Sequence, residues 1–294
     1  RASSTVALES GLRGCEGRGR HVKEMDTRMS GEVLMNAGEG GVVHVTLRHA
    51  GRLNAMSRTM WRQLRSVFEG IQASNARCVV IAGEGGAFCA GGDISEYPGF
   101  RFDAAALRDF HENDVWGGLN AMLACDVPIV ASISGACMGA GVEIASCCDV
   151  RVAGAAARFG APIAKLGFPM APREAQLVAA AVGDVTARQM LLEAATFTAA
   201  DMLARGFLSR VVPDDDVPAE ALASARRIAA LAPGAARMNK QVLRALKTPP
   251  ALDGKAPAAI EMIVNGPHDP YAYADSAEHR EGITAFLAKR PPVF

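Results

Sequence analysis

The sequence has no excess charge of either sign, because 31 lysine and arginine residues are balanced by 31 aspartate and glutamate residues among 294. A balanced chain produces no bulk field to hold nucleic acid or an anionic membrane, so any anionic ligand must be bound by local groups. Glycine, proline or charge interrupts every apolar stretch before it reaches the roughly 18 residues of a membrane span. We therefore expect no nucleic-acid partner and no membrane partner.

The cysteines do not form a pattern of pairs. There are seven, an odd number, and most lie inside apolar runs, at positions 15, 78, 89, 125, 137, 147 and 148. Free, buried thiols are typical of proteins in a reducing compartment, so we expect a soluble cytoplasmic protein without a disulfide framework. Because no histidine or cysteine cluster has metal-ligand spacing, we also expect no metal site.

Three regions follow from the pattern along the chain. Residues 1–29 mix arginine, glycine and serine without an apolar period, which predicts a disordered leader. Residues 30–231 alternate strand-like and helical stretches, which predicts an α/β core. Strands are predicted at residues 41–47, 78–82, 128–134, 149–153 and 207–212, and helices at 56–71, 139–147 and 217–232.

Residues 232–294 are predicted to be a helical C-terminal region that covers the ligand or joins subunits. Its last helix, at residues 275–289, would expose Ile283, Phe286 and Leu287 on an isolated chain. An apolar face of this kind predicts docking on another element or subunit.

The first stretch with chemical content is Ala-Phe-Cys-Ala-Gly-Gly-Asp-Ile at residues 87–94, directly after a predicted buried strand. Paired glycines allow the backbone to approach a ligand closely and to direct N–H groups toward it. A tight turn in which Asp93 caps the next segment explains the same residues equally well.

The second stretch is Ser-Gly-Ala-Cys-Met-Gly-Ala-Gly-Val-Glu at residues 134–143, between a strand and a helix. Small residues at a helix start expose free N–H groups, which suit a developing oxyanion. Glu143 lies three residues beyond Ala140 and so projects from nearly the same face. The alternative is that Glu143 only complements the helix dipole.

Together these stretches resemble the crotonase (enoyl-CoA hydratase/isomerase) superfamily from about residue 31 to the C-terminus. The motif Arg-Leu-Asn-Ala-Met-Ser at residues 52–57 and the stretch Arg-Phe-Gly-Ala-Pro at 158–162 support the resemblance. It implies a crotonase-like spiral of repeated ββα turns with a helical C-terminal region. It also implies an acyl-CoA substrate, no cofactor beyond that coenzyme A, and a homotrimer or a dimer of trimers.

The resemblance also assigns residues. The backbone N–H groups of Gly92 and Ala140 would hold the thioester oxygen, and Glu143 would act as acid and base. The coenzyme A or acyl group would contact Arg52, Ala55, Ala90, Asp93, Ile94, Ile163 and Lys289.

The sequence departs from the family at Ile163, which stands where hydratases carry a second glutamate. An aliphatic side chain cannot move a proton. Either Glu143 works alone, or another acid replaces the missing one, the candidates being His111, Glu112, Asp114 and Glu174. Glu174 also fits as a helix-start acid, and residues 111–114 also fit as a solvated face.

The leading interpretation is therefore hydration or double-bond isomerisation of an enoyl-CoA. Two alternatives remain open, namely a thioester hydrolase of the same fold and a non-catalytic protein that binds coenzyme A.

Overall fold

A computed structural model describes residues 31–246 and 271–294. The predicted leader lies outside the described residues. Six strands form the main sheet in the order β1-β2-β3-β4-β6-β9. Their bounds are β1 Glu32–Ala37, β2 Val42–Arg48, β3 Cys78–Gly83, β4 Ile129–Ile133, β6 Val150–Gly154 and β9 Arg210–Val212. The β1–β2 pair is antiparallel and every other pair in this sheet is parallel.

A second sheet of three short strands lies beside the ends of the main one. β5 (Ala136–Met138) pairs in parallel with β7 (Arg158–Gly160), and β7 pairs antiparallel with β8 (Thr196–Thr198). Sequence patterns did not indicate this sheet, because three-residue strands are too short to show a period of two.

The helices connect and cover these strands. They are α1 Arg58–Gln72, α2 Ala104–Asp109, α3 Trp116–Ala124, α4 Ala140–Ser146, α5 Pro172–Val182, α6 Asp184–Leu192, α7 Ala199–Ala204, α8 Val217–Ala229, α9 Pro233–Leu246 and α10 Ala277–Leu287. A π-helix at Phe110–Val115 joins α2 to α3. Short 3₁₀ helices occupy Glu39–Gly41, Ile94–Gly99, Pro162–Leu166, Asp214–Asp216 and Ala272–Asp275.

The alternation of side chains along the strands separates two layers of core. On β2, Val45 and Leu47 face the larger layer, which is closed by α1, whereas Val42 faces the smaller layer under α8. The buried residues of α1 recur every three or four positions (Met60, Trp61, Leu64, Phe68 and Ile71), and Ser57 caps the helix by accepting from the Met60 N–H. The α/β prediction for this half of the chain is confirmed.

The predicted strand at residues 207–212 is wrong in its first half. The N–H groups of Phe207 and Leu208 donate to the carbonyl of Met202 at the end of α7. They therefore close the turn after that helix, and only Arg210–Val212 joins the sheet.

Helix α9 contacts the core through polar side chains. Lys240 on α9 lies 2.8 Å from the Asp149 carboxylate and donates to the carbonyl of Val127. On α10, Phe286 and Leu287 are 80% and 75% exposed, as predicted. Within the described ranges, no helix is both long and apolar enough to cross a bilayer.

Candidate active site

A cavity of about 240 Å³ lies where residues 90–101 and the end of β5 meet α4 and α5. Both stretches singled out from the sequence contribute to its wall. The lining comprises Trp61, Ala90, Gly91, Gly92, Ile94, Tyr97, Arg101, Phe110, His111, Val115, Met138, Gly139, Ala140, Glu143, Pro162, Ile163, Leu166, Phe168, Pro169, Met170 and Glu174.

The two glycine-rich turns are docked directly on each other. The Cys89 N–H donates to the Ala136 carbonyl, and the Met138 N–H donates to the Cys89 carbonyl. A side chain at Gly141 would place its Cβ 2.6 Å from the Cys89 carbonyl oxygen, so only glycine fits there without a shift. The close contact fixes the position of the Gly92 turn relative to the start of α4.

Two backbone donors at this junction border the cavity. Ala140 is the first residue of α4, so its N–H has no partner within the helix. Gly92 lies in the first glycine-rich stretch, outside the named strands. Neither donates to an acceptor in residues 31–246 or 271–294. They are therefore available to a ligand oxygen in the cavity.

Glu143 lies on α4, one turn beyond Ala140, and is only 7% exposed. Burial raises the pKa of its carboxyl group well above the usual value, and the negative charge of Glu174 adds to the effect. A carboxyl group with a raised pKa retains its proton to higher pH, a property typical of general acids.

A second acidic group faces the same cavity. Glu174, in the first turn of α5, is 4% exposed, and its Oε1 lies 2.7 Å from His111 Nδ1. His111 reaches the cavity from the π-helix, an element that often marks functional sites. The interpretation of Glu174 as only a helix-start acid is therefore incomplete.

The neighbouring acidic candidates are placed elsewhere. Glu112 is exposed and lies 3.4 Å from Arg173, as a solvated face predicts. Asp114 is buried, but it forms ion pairs with Arg58 at 2.6 Å and Arg62 at 2.7 Å. Neither residue lines the cavity.

The residues predicted to contact the coenzyme A or acyl group divide into two sets. Ala90, Ile94 and Ile163 line the cavity, with Ile163 as an aliphatic part of its wall. The remaining four, Arg52, Ala55, Asp93 and Lys289, lie outside it. Arg52 is exposed and lies 3.7 Å from Asp93, which caps the helix at Ile94–Gly99. Ala55 is buried, and Lys289 is exposed after α10. Their roles stay predictions.

Two polar residues of the cavity were not singled out from the sequence. Tyr97 and Arg101 follow the first turn at spacings that match no motif. A Cβ at Gly92 would collide with the Tyr97 hydroxyl, so this hydroxyl lies against the turn that carries the Gly92 N–H. Burial raises the pKa of Tyr97 to about 12, which keeps the phenol protonated.

The cysteines near the site are inert by position. All six described cysteines are free and buried, as predicted, and burial raises the pKa of the Cys89 thiol to about 12. A protonated, enclosed thiol is a poor nucleophile. Among the described residues, no group of three histidine, cysteine, aspartate or glutamate side chains is placed to hold a metal ion.

Comparison with known proteins identifies the family of the chain. A family model described as enoyl-CoA hydratase/isomerase matches residues 37–294. A probable enoyl-CoA hydratase of Rhizobium meliloti is 32% identical over 268 residues, which cover 90% of this chain and 99% of the relative. A mevalonyl-coenzyme A hydratase of Beauveria bassiana is 31% identical, over 86% of this chain and 91% of the relative.

The crystal structure of an enoyl-CoA hydratase/carnithine racemase from Magnetospirillum magneticum superposes with a TM-score of 0.80 at 33% identity. It covers 92% of this chain and 98% of that one. The crotonase-type fold and an acyl-CoA enzyme of the hydratase/isomerase type, both predicted from the sequence, are confirmed. The chain belongs to the enoyl-CoA hydratase/isomerase family.

Proposed function

We propose that this protein hydrates an enoyl-CoA thioester, with Glu143 and Glu174 as the two carboxyl groups that move protons. The observation that carries the proposal is that both carboxyl groups are buried against one cavity, beside the two backbone donors of Gly92 and Ala140. Glu174 would thus take the part of the glutamate that Ile163 replaces.

The Gly92 and Ala140 N–H groups would hold the thioester oxygen. Negative charge develops on that oxygen when a nucleophile adds to C3, and fixed donors stabilise it without reorganisation. One such donor contributes about 3–4 kcal/mol to lowering the barrier.

The environments of the two carboxyl groups support a division of roles. Glu174, hydrogen-bonded to His111, would take a proton from water as the oxygen adds to C3. Glu143, whose raised pKa favours the protonated form, would give its proton to C2 of the enolate. Transfer of a proton from Glu174 to Glu143, directly or through solvent, would restore the starting state.

Two variants, Glu143→Gln and Glu174→Gln, test these roles on 2-enoyl-CoA substrates. We expect Glu143→Gln and Glu174→Gln each to lower kcat by about 10²- to 10⁴-fold, the range for loss of a general acid or base. Glu112→Gln is the matched control, because Glu112 is exposed and pairs only with Arg173 among the described residues. It should keep wild-type activity.

Activity measured on 3-enoyl-CoA, together with detection of free thiol, identifies the competing reactions. Full hydratase activity in Glu174→Gln would show that Glu143 works alone in hydration. Turnover of 3-enoyl-CoA in place of 2-enoyl-CoA would show an isomerase. Release of free coenzyme A at a rate that exceeds hydration would show a thioester hydrolase. Turnover of no thioester by the wild type would leave only binding.

Further expectations accompany this function. We propose that the substrate's coenzyme A is the only cofactor-like group involved, that the protein acts in the cytoplasm, and that it assembles as a homotrimer or a dimer of trimers. The exposed apolar residues of α10 support the assembly. Size-exclusion chromatography with light scattering measures the subunit number, and a monomeric mass at micromolar concentration would contradict it.

A further inference from the structure

Arg101 is a cation held within the apolar part of the cavity. It follows the helix at Ile94–Gly99, and its backbone N–H donates to the Tyr97 carbonyl. Its guanidinium carbon lies 3.5 Å from the centre of the Phe168 ring and 4.4 Å from the centre of the Tyr97 ring. The two rings meet edge to face at 6.0 Å, so they form a support for the guanidinium.

The guanidinium of Arg101 forms no hydrogen bond and no ion pair with an acceptor in the part of the chain that the structure describes. Other arginines near the site differ, since Arg58 and Arg62 share the Asp114 carboxylate. Burial lowers the pKa of Arg101, as expected for a cation with incomplete compensation. The nearby acid Glu174 is already hydrogen-bonded to His111.

Tyr97 lies between Arg101 and the Gly92 turn that would hold the thioester oxygen. The hydroxyl of Tyr97 lies against Gly92, while the face of its ring lies under Arg101. The guanidinium is therefore separated from the proposed oxyanion site by roughly one tyrosine side chain. The cavity lining also includes the apolar side chains of Phe110, Leu166, Phe168 and Met170.

We infer that the acyl group of the substrate ends in a carboxylate that pairs with Arg101. The substrates would then be short enoyl-CoA thioesters of dicarboxylic acids, and this inference rests on the function proposed above. A guanidinium stacked by its face keeps its N–H edge available, and that edge matches a carboxylate through two parallel hydrogen bonds. Neutral acyl chains would offer this partly buried guanidinium no acceptor.

The test compares thioesters of equal chain length that differ only at the far end. Five- and six-carbon 2-enoyl-CoA substrates ending in a carboxylate are paired with those ending in methyl. We expect the wild type to have the higher kcat/KM for the carboxylates. Arg101→Met should reduce the ratio of carboxylate to methyl kcat/KM by about 100-fold, since removing one partner of a desolvated charge pair has a large effect.

Arg173→Met is the matched control. Arg173 also stacks on an aromatic ring, that of Trp116 at 5.6 Å, but it is exposed and does not line the cavity. It should leave the ratio unchanged. Because the ratio compares two substrates on the same protein preparation, partial misfolding of a variant does not alter it.

Three results would overturn the inference. Hydration of only the methyl-ended thioesters by the wild type would refute the inference while the proposed function stands. An equal loss of both kcat/KM values in Arg101→Met would show that Arg101 binds the coenzyme A phosphates or stabilises the fold. The third result is equal wild-type kcat/KM for both ends.

A binding measurement separates failure of this inference from failure of the proposed function. The saturated five-carbon thioesters, glutaryl-CoA and pentanoyl-CoA, are titrated calorimetrically into the wild type and Arg101→Met. Tighter binding of glutaryl-CoA that Arg101→Met abolishes would support the carboxylate site even if no thioester is hydrated. Equal affinities would refute the carboxylate site whatever the activity.

Discussion

Gly141→Ala tests whether the close docking of the two turns controls catalysis. The added Cβ would lie 2.6 Å from the Cys89 carbonyl oxygen, about 0.8 Å short of the 3.4 Å at which ordinary contact begins. The contact is with backbone, so the start of α4 must move away from the Gly92 turn. The gap between the Gly92 and Ala140 donors would widen by a comparable amount.

The structure gives the size of the expected effects. Misplacing a catalytic group by about 1 Å lowers a rate by up to about 100-fold, so we expect kcat to fall about 10- to 100-fold. Overpacking costs about 1–3 kcal/mol, and the better helix propensity of alanine offsets up to about 1 kcal/mol of it. The free energy of unfolding should therefore fall by about 1–2 kcal/mol.

Enoyl-CoA hydration and urea unfolding of the same preparation provide the assay. Gly70→Ala on α1 is the control, because a Cβ there has no atom within 4 Å. It should keep kcat and gain up to about 1 kcal/mol in stability. If Gly141→Ala kept the kcat of Gly70→Ala while losing stability, the docking of the turns would not determine the donor geometry and the reasoning would be refuted.

Three further predictions concern charge. Burial raises the pKa of Glu143 in the folded protein, so its ionisation costs stability as the pH rises from its ordinary value of about 4.5 through the raised pKa. The Tm of Glu143→Gln minus that of the wild type should therefore increase from pH 4 to pH 9. A constant difference would contradict this reasoning. Lys240→Met should lower the free energy of unfolding by about 1–3 kcal/mol, since it removes the cation that pairs with Asp149 and the donor to the Val127 carbonyl. Arg188→Met, in an exposed pair with Asp184, is the control and should change stability much less. Ile163→Glu should give no gain in hydration, because Glu174 already supplies the second carboxyl group, and a large gain would show that it does not.

Much of the core was predictable because its patterns are local. The apolar runs of β3 and β4 and the spacing of Met60, Leu64 and Phe68 on α1 each follow from the period of one element. The burial of the cysteines was predictable for the same reason, since most of them lie inside local apolar stretches. The small sheet of β5, β7 and β8 was not, because its strands are short and pair across distant parts of the chain.

The candidate site divides in the same way. The sequence by itself determined the two glycine-rich turns and the place of Glu143 one turn beyond Ala140, because these depend on backbone geometry within a few residues. It also showed, through Ile163, that the usual second carboxylate is missing.

Only the tertiary structure placed a second carboxyl group in the cavity. Glu174 and His111 are 63 residues apart, and the packing of α5 against α4 brings Glu174 beside Glu143. Arg101 is likewise placed over Tyr97 and Phe168, the latter from a separate loop. Periodicity specifies which face of an element is buried, but which side chains meet inside a cavity depends on how separate elements pack.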